Sequence, residues 1–138
     1  MDILVPKSNL GINRNELPQV EEEIYEQLME QMKNDNIQYK VGTITCGKLK
    51  PIQSQLNKDK ILSILNDDPK DYKLVVSNDN YICDGHHRWA ASLNRDEDQQ
   101  IPCIKINMCI IDLINYLNNL EFTKSKEIHE SMKWQQTD

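Results

Sequence analysis

Apolar residues return at every fourth position in Val20, Ile24, Leu28 and Met32, with Tyr25 and Met29 widening the stripe, which is the period of one buried helix face. Glutamates fill the early turns, where negative charge suits the helix dipole, and Asn34-Asp35-Asn36 supplies a stop signal. The period then changes. Ile37, Tyr39, Val41, Thr43 and Thr45 alternate with other residues, and their β-branched types predict a strand over 37–45. A short helix is expected over 58–65, with Ile61, Leu62, Ile64 and Leu65 turned inward and Asn66-Asp67-Asp68-Pro69 ending it. Strands over 73–76 and 80–83 flank the polar turn Ser77-Asn78-Asp79 as a hairpin. The next helix, from Gly85 or His86 to about Asn94, buries Trp89, Ala90 and Leu93; Trp89 serves the core or stacks on a base. A strand over 101–106 and an amphipathic helix marked by Ile110, Leu113, Ile114, Leu117 and Leu120 complete the pattern.

These elements divide the chain into an extended N-terminal segment (1–17), one domain opened by its N-terminal helix (18–121), and a polar C-terminal helix or tail (122–138) whose few apolar residues include Ile128, Met132 and Trp134. Strands and helices mix without regular βαβ alternation, which predicts an α+β fold with a small mixed β-sheet and packed helices. Internal repeats, low-complexity stretches and a glycine-rich Walker loop are absent from the sequence.

A length of 138 residues suits a single core, and 38% hydrophobic with 28% charged residues describes an ordinary globular chain on the polar side. The net charge of -6 argues against extensive duplex DNA binding, whose main affinity term is the neutralisation of phosphates by Lys and Arg. Charge is unevenly placed, however. Glu16, Glu21, Glu22, Glu23, Glu26, Glu30 and Asp35 crowd the N-terminal part, whereas Lys40, Lys48, Lys50, Lys58 and Lys60 follow it. Those lysines form either a local basic rim for a small anion or ordinary solvated positions.

Cys46, Cys83, Cys103 and Cys109 have neither a Cys-x-x-Cys pair nor the spacing of zinc ligands, and the first three lie in or beside apolar strand-like runs as small core residues. The beginning of the chain lacks the pattern of a secretory signal, and no stretch approaches the roughly 20 apolar residues of a membrane span. A cytoplasmic protein with no membrane association is therefore expected.

The chemistry concentrates in Asp84-Gly85-His86-His87-Arg88, at a predicted strand-to-helix turn. Such a turn leaves the first helical N–H groups without intrahelical partners at the positive end of the dipole, where phosphate oxygens fit. Arg88 adds a planar fork suited to phosphate, and His86 and His87 can donate hydrogen bonds or carry a proton near neutral pH. Asp84 either caps the helix or recruits Mg²⁺. Read more blandly, the same five residues are a capped turn with solvated histidines.

The motif resembles the phosphate-binding Gly-x-x-Arg turn of the ParB/sulfiredoxin superfamily. Leu49-Lys50-Pro51-Ile52-Gln53-Ser54-Gln55-Leu56-Asn57 is similar to an earlier segment of that family, and Ile101-Pro102-Cys103-Ile104-Lys105-Ile106 to the strand after the motif helix, so the resemblance spans about residues 40 to 107. It implies a ParB/sulfiredoxin-like fold that binds a nucleotide. The Asp-Gly-His-His-Arg run is closest to the free-serine-kinase branch, which implies ATP and Mg²⁺, phosphotransfer to a small-molecule acceptor or ATP hydrolysis, and His86 and His87 as catalytic residues. Gly85, His86, His87 and Arg88 would hold the nucleotide, joined by Lys50, Gln53 and Gln55, with Asp84 at the metal. Two departures matter. His86 stands where sulfiredoxins carry their reactive cysteine, and no Glu lies within 51–55 to inherit the kinase's general base. A single domain of this length also leaves no room for the helix-turn-helix domain of a partition protein. The alternatives are a non-catalytic nucleotide- or protein-binding regulator of phage-effector type, working through the acidic N-terminal helix or the tail, and a metal-dependent nuclease.

Overall fold

The structure is a computed structural model that describes residues 3–8, 10–13, 16–18, 20, 22–53, 56–67 and 72–120. Gln55, the end of the predicted stop signal after the 58–65 helix, and the C-terminal stretch 122–138 lie outside the described residues.

The first amphipathic run becomes a 3-10 turn at Glu22–Ile24 followed by helix α1, Tyr25–Asn34. Its apolar period begins at Val20, ahead of the helix, because Val20 is already buried there and gives its N–H to Asp84. The predicted stop takes a defined form. Asn36 adopts a left-handed conformation (φ 58), Asn36 N–H bonds Lys33 O at 3.2 Å, and Ile37 N–H bonds Met32 O at 2.8 Å, the double closure of a Schellman end.

Strand β1, Tyr39–Thr45, leads through a 3-10 turn at Cys46–Lys48 to helix α2, Lys58–Asn66. Strands β2, Leu74–Ser77, and β3, Ile82–Asp84, form the expected hairpin, and helix α3, strand β4 and helix α4 follow at His86–Arg95, Gln100–Ile106 and Ile110–Asn118. The sheet order is β1-β4-β2-β3: β4 runs antiparallel to β1 but parallel to β2, and β2 is antiparallel to β3. The result is an α+β fold of four helices and a four-strand mixed sheet among the described residues.

Because side chains alternate across a strand, the sheet carries a core on each face. Val75, Ile104 and Ile106 join the side chains of α1 and α4, whereas Leu74, Val76 and Cys103 face Trp89 and Ala90 of α3 and Ile61 of α2. Strand β1 is an edge, and Val41 on it is 51% exposed: the sequence alternation marks strand geometry there, not burial. The described residues of the N-terminal segment are tied to the domain at three places. Leu4 exchanges backbone bonds with the Asn94 side chain, Ile12 N–H reaches Ile52 O at 2.9 Å, and Glu16 O accepts from the Asn118 side-chain amide at 3.1 Å.

Trp89 is a core residue, its indole N–H donating to Cys46 O at 2.8 Å, and Cys46, Cys83 and Cys103 are buried free thiols. Helix α2 owes its start to Asn57, whose side chain accepts from the N–H groups of Asp59 and Lys60. Asn57→Ala is expected to lose about 1 kcal/mol of stability; a urea midpoint equal to that of the parent would refute the cap.

Candidate functional site

At the end of β3 the chain turns into α3 through Gly85, which takes φ +101. A β-carbon there would collide with Leu74 Cδ2 and meet Tyr72 Cε1 at 3.1 Å. The glycine is thus required twice, by backbone conformation and by two side chains packed on it. Just before the turn the β2–β3 register shifts by one residue, with Asp84 opposite Val75 but Ile82 opposite Val76. Such irregularities re-aim the strand they interrupt.

The first intrahelical bond of α3 runs from Trp89 N–H to Gly85 O at 3.0 Å. The N–H groups of His86, His87 and Arg88 precede it, at the positive end of a ten-residue helix. Beside them lies a recess of about 150 Å³, with Gly85, His86, His87 and Arg88 on its wall together with Asp84, Gln53 and Tyr72. Most of the residues proposed from the sequence therefore meet at one place.

Their individual duties differ from the sequence reading. His86 is only 3% exposed, and its Nε2 accepts the N–H of Ile52 at 3.0 Å and that of Gln53 at 3.2 Å. An accepting nitrogen carries no proton, so Nδ1 holds it. Burial, with a smaller effect from His87, pushes the pKa of His86 down to about 3, which keeps the ring neutral at pH 7. His87 Nε2 accepts Asn57 N–H at 2.9 Å. The histidine pair ties the backbone of Ile52, Gln53 and Asn57 to the start of α3, beside the recess.

Asp84 does not cap α3, whose N-cap is Gly85 with no side-chain cap bond. Its Oδ2 accepts instead from Val20 N–H at 3.1 Å and from the Tyr72 hydroxyl at 3.2 Å. The carboxylate serves the lead-in to α1, because the sheet brings Val20 to it and a glycine N-cap closes α3 unaided. Burial and then the neighbouring Asp84 charge hold the Tyr72 hydroxyl far above the usual tyrosine range, as a proton donor. The Tyr72 ring also underlies Arg88, whose guanidinium carbon stands 5.5 Å from the ring centroid. The sequence reading missed Leu17, Ile64 and Tyr72 on the recess wall, and of these Tyr72 is the polar one. A lone tyrosine two residues before an apolar strand gives no signal of its own; its role comes from the close approach that Gly85 allows.

Gln53 lies where expected, buried and on the recess wall. Lys50 does not. It bridges Tyr81, at the opposite end of the β3 edge from Gly85, with its ammonium 4.1 Å above the Tyr81 ring centroid. Gln53 follows three positions later in the chain and bridges Ile12 rather than Tyr81, so the segment does not bring both side chains to the same point. Cys83 also borders the recess, but burial first and the Asp84 charge second raise its thiol well above the ordinary range, which leaves it protonated and unreactive.

Among the described residues no group of three or more His, Cys, Asp or Glu side chains is placed to hold a metal ion, so Asp84 could contribute only one ligand to a shared cation. Among the described residues no helix is long and apolar enough to cross a membrane. Comparison of the chain with protein families, with curated proteins and with solved structures gives no match.

Proposed function

We propose that the recess at the start of α3 binds the phosphate end of a nucleotide, with ATP as the expected ligand, in a ParB/sulfiredoxin-like domain. The reading rests on one observation: Gly85, His87, Arg88 and Asp84 border a single recess beside the first N–H groups of a helix. Its volume of about 150 Å³ suits a phosphoryl group; pockets that enclose a whole ligand of nucleotide size run to about 300–1,000 Å³. The sugar and base therefore extend beyond it. Arg88 and the amides of 86–88 would hold the phosphate oxygens. Asp84 would be the residue that helps to hold Mg²⁺, which would supply charge neutralisation for the phosphate.

Binding is better supported than catalysis. His86 is neutral and its acceptor nitrogen is engaged by two amides, so it acts as a positioning residue for Ile52 and Gln53 rather than as a proton carrier. That observation favours the second reading, a non-catalytic nucleotide-dependent regulator. Phosphotransfer would rely on positioning and electrostatics with His87 or Asp84 beside the phosphate. The nuclease reading gains nothing from the described residues, which offer no carboxylate cluster.

Titration with Mg²⁺ and ATP, CTP or GTP tests the proposal. Arg88→Ala should weaken binding by about 1.5–3 kcal/mol, the worth of a hydrogen bond to a charged group. Equal affinity of variant and parent would remove Arg88 from the cradle. Product analysis with candidate small-molecule acceptors then divides the readings, since ATP that stays intact throughout favours the regulator.

A further inference from the structure

The sheet has two edges, and the chain treats them differently. Along β3 the segment after the Cys46–Lys48 turn supplies cover: Lys50 N–H bonds Asn80 O and Ile82 N–H bonds Lys50 O, each at 2.9 Å. Strand β1 has no such cover among the described residues. It runs for seven residues in unbroken register with β4, with no bulge, no proline and a single charge, so it lacks most of the devices that blunt an open edge. Lys40, Val41, Gly42 and Thr43 are all exposed, which leaves both faces of the strand open at its middle as well.

The ladder fixes which backbone groups face outward. Just beyond its ends, Asn107 N–H bonds Gln38 O and Cys46 N–H bonds Gln99 O, both at 2.9 Å and both in the β1–β4 register. Hydrogen-bonded and non-hydrogen-bonded pairs alternate in an antiparallel ladder. Lys40, Gly42 and Ile44 therefore spend their N–H and C=O groups on β4, and those of Tyr39, Val41 and Thr43 point to the open edge. Pro102, which has no N–H to give, stands opposite Thr43, in agreement with this assignment.

Gly42 supplies an independent observation. It sits mid-strand, where glycine is unfavourable, yet a β-carbon there would meet nothing within 4 Å and its φ is not positive. Neither the packing nor the backbone conformation of a single chain accounts for it. Where a strand has no bulge, an interior glycine commonly marks the close approach of another backbone.

We infer that β1 pairs antiparallel with β1 of a second copy about a two-fold axis at Gly42, joining the two sheets into one. The strand suits its own copy. Gly42 is its central residue, so the whole length 39–45 pairs, and the two glycines meet at a non-hydrogen-bonded position, where Cα atoms come closest, about 4.5 Å apart. Val41 meets Thr43 across the axis, a β-branched pair whose outward backbone groups bond each other. Lys40 faces Ile44, which keeps the two lysines at opposite ends of the seam. Because the β3 edge is already covered, the sheet does not grow further and the assembly closes at two copies. The seam shares no residue with the recess, so it does not rest on the phosphate-binding reading.

Sedimentation equilibrium of the full chain gives the test. A contact confined to one strand falls below about 1,200 Å², the class of weak encounters, so the parent should pass from one copy to two as its concentration rises through the high-micromolar range. Val41→Lys should weaken self-association by about tenfold or more, since two-fold symmetry counts the substitution twice and sets the new charges diagonally across the seam. Thr43→Glu should do the same. Combined, Val41→Lys/Thr43→Glu sets each lysine opposite a glutamate and should restore the parent's affinity to within about threefold. Thr43→Pro removes an outward N–H without touching the β4 ladder, and should leave a folded monomer. A parent that stays single at millimolar concentration, as it would if this edge received a strand from another protein, would overturn the inference. So would a dimer that Val41→Lys and Thr43→Pro leave intact, or a double variant that associates no more tightly than the single ones.

Discussion

Gly85→Ala is expected to remove about 3–5 kcal/mol of folding stability, a large part of the total for a domain of this size. Two costs combine. An alanine held at φ +101 is strained, by about 1–3 kcal/mol. Its methyl carbon would also stand well inside contact distance of Leu74 Cδ2, so Leu74, fully buried in the core between the sheet and α3, would have to shift its side chain. Forcing a methyl group into a filled core costs about 1–3 kcal/mol. Chemical denaturation at unchanged m-value gives the measurement. Adding Leu74→Ala should remove the steric part and leave the backbone strain, so the double variant should be more stable than the sum of the two single losses predicts. Strict additivity, or a Gly85→Ala protein as stable as the parent, would refute the packing argument.

His86→Ala should cost a similar amount, about 3–5 kcal/mol, because it leaves a cavity and orphans two buried amides at once. Those amides belong to Ile52 and Gln53, both buried, so water cannot easily replace the imidazole. The same residue sets an acid dependence. Unfolded, the ring takes up a proton near pH 6.5; folded, only near pH 3. Between these values the unfolded chain binds the extra proton, so the stabilisation is complete above pH 6.5 and declines as the pH falls toward 3, by up to about 1.4 kcal/mol per unit. His86→Gln has no proton to gain and should flatten this slope. Stability measured between pH 7 and pH 4.5, above most carboxylate titration, decides the matter: parallel slopes for parent and His86→Gln would mean that His86 is not held neutral by the fold.

Much of the architecture was legible because helix and strand periods are local. The four-residue spacing from Ile24 to Met32 and the run Ile110 to Leu117 each bury the side expected of them. Asn34-Asp35-Asn36 ends its helix because asparagine tolerates the left-handed conformation that the closing turn needs. The strand alternation over 37–45 fixed a period but not a neighbour. Whether Val41 would be covered depended on β1 lying at an edge, which is decided by strand order rather than by its own residues.

The candidate site divides along the same line. The sequence by itself determined that Asp84 through Arg88 would stand at a strand-to-helix corner, since a short apolar strand, a glycine and a helical run follow each other directly. Only the tertiary structure decided what each side chain does there. His86 meets an amide 34 residues away, Asp84 one 64 residues away, and Lys50 is carried to the ring of Tyr81 instead of to the recess. Backbone conformation follows from neighbours in the chain. The partner of a polar side chain follows from proximity in space and from the cost of leaving a buried donor or acceptor unpaired, and both arise only once the sheet has brought distant segments together.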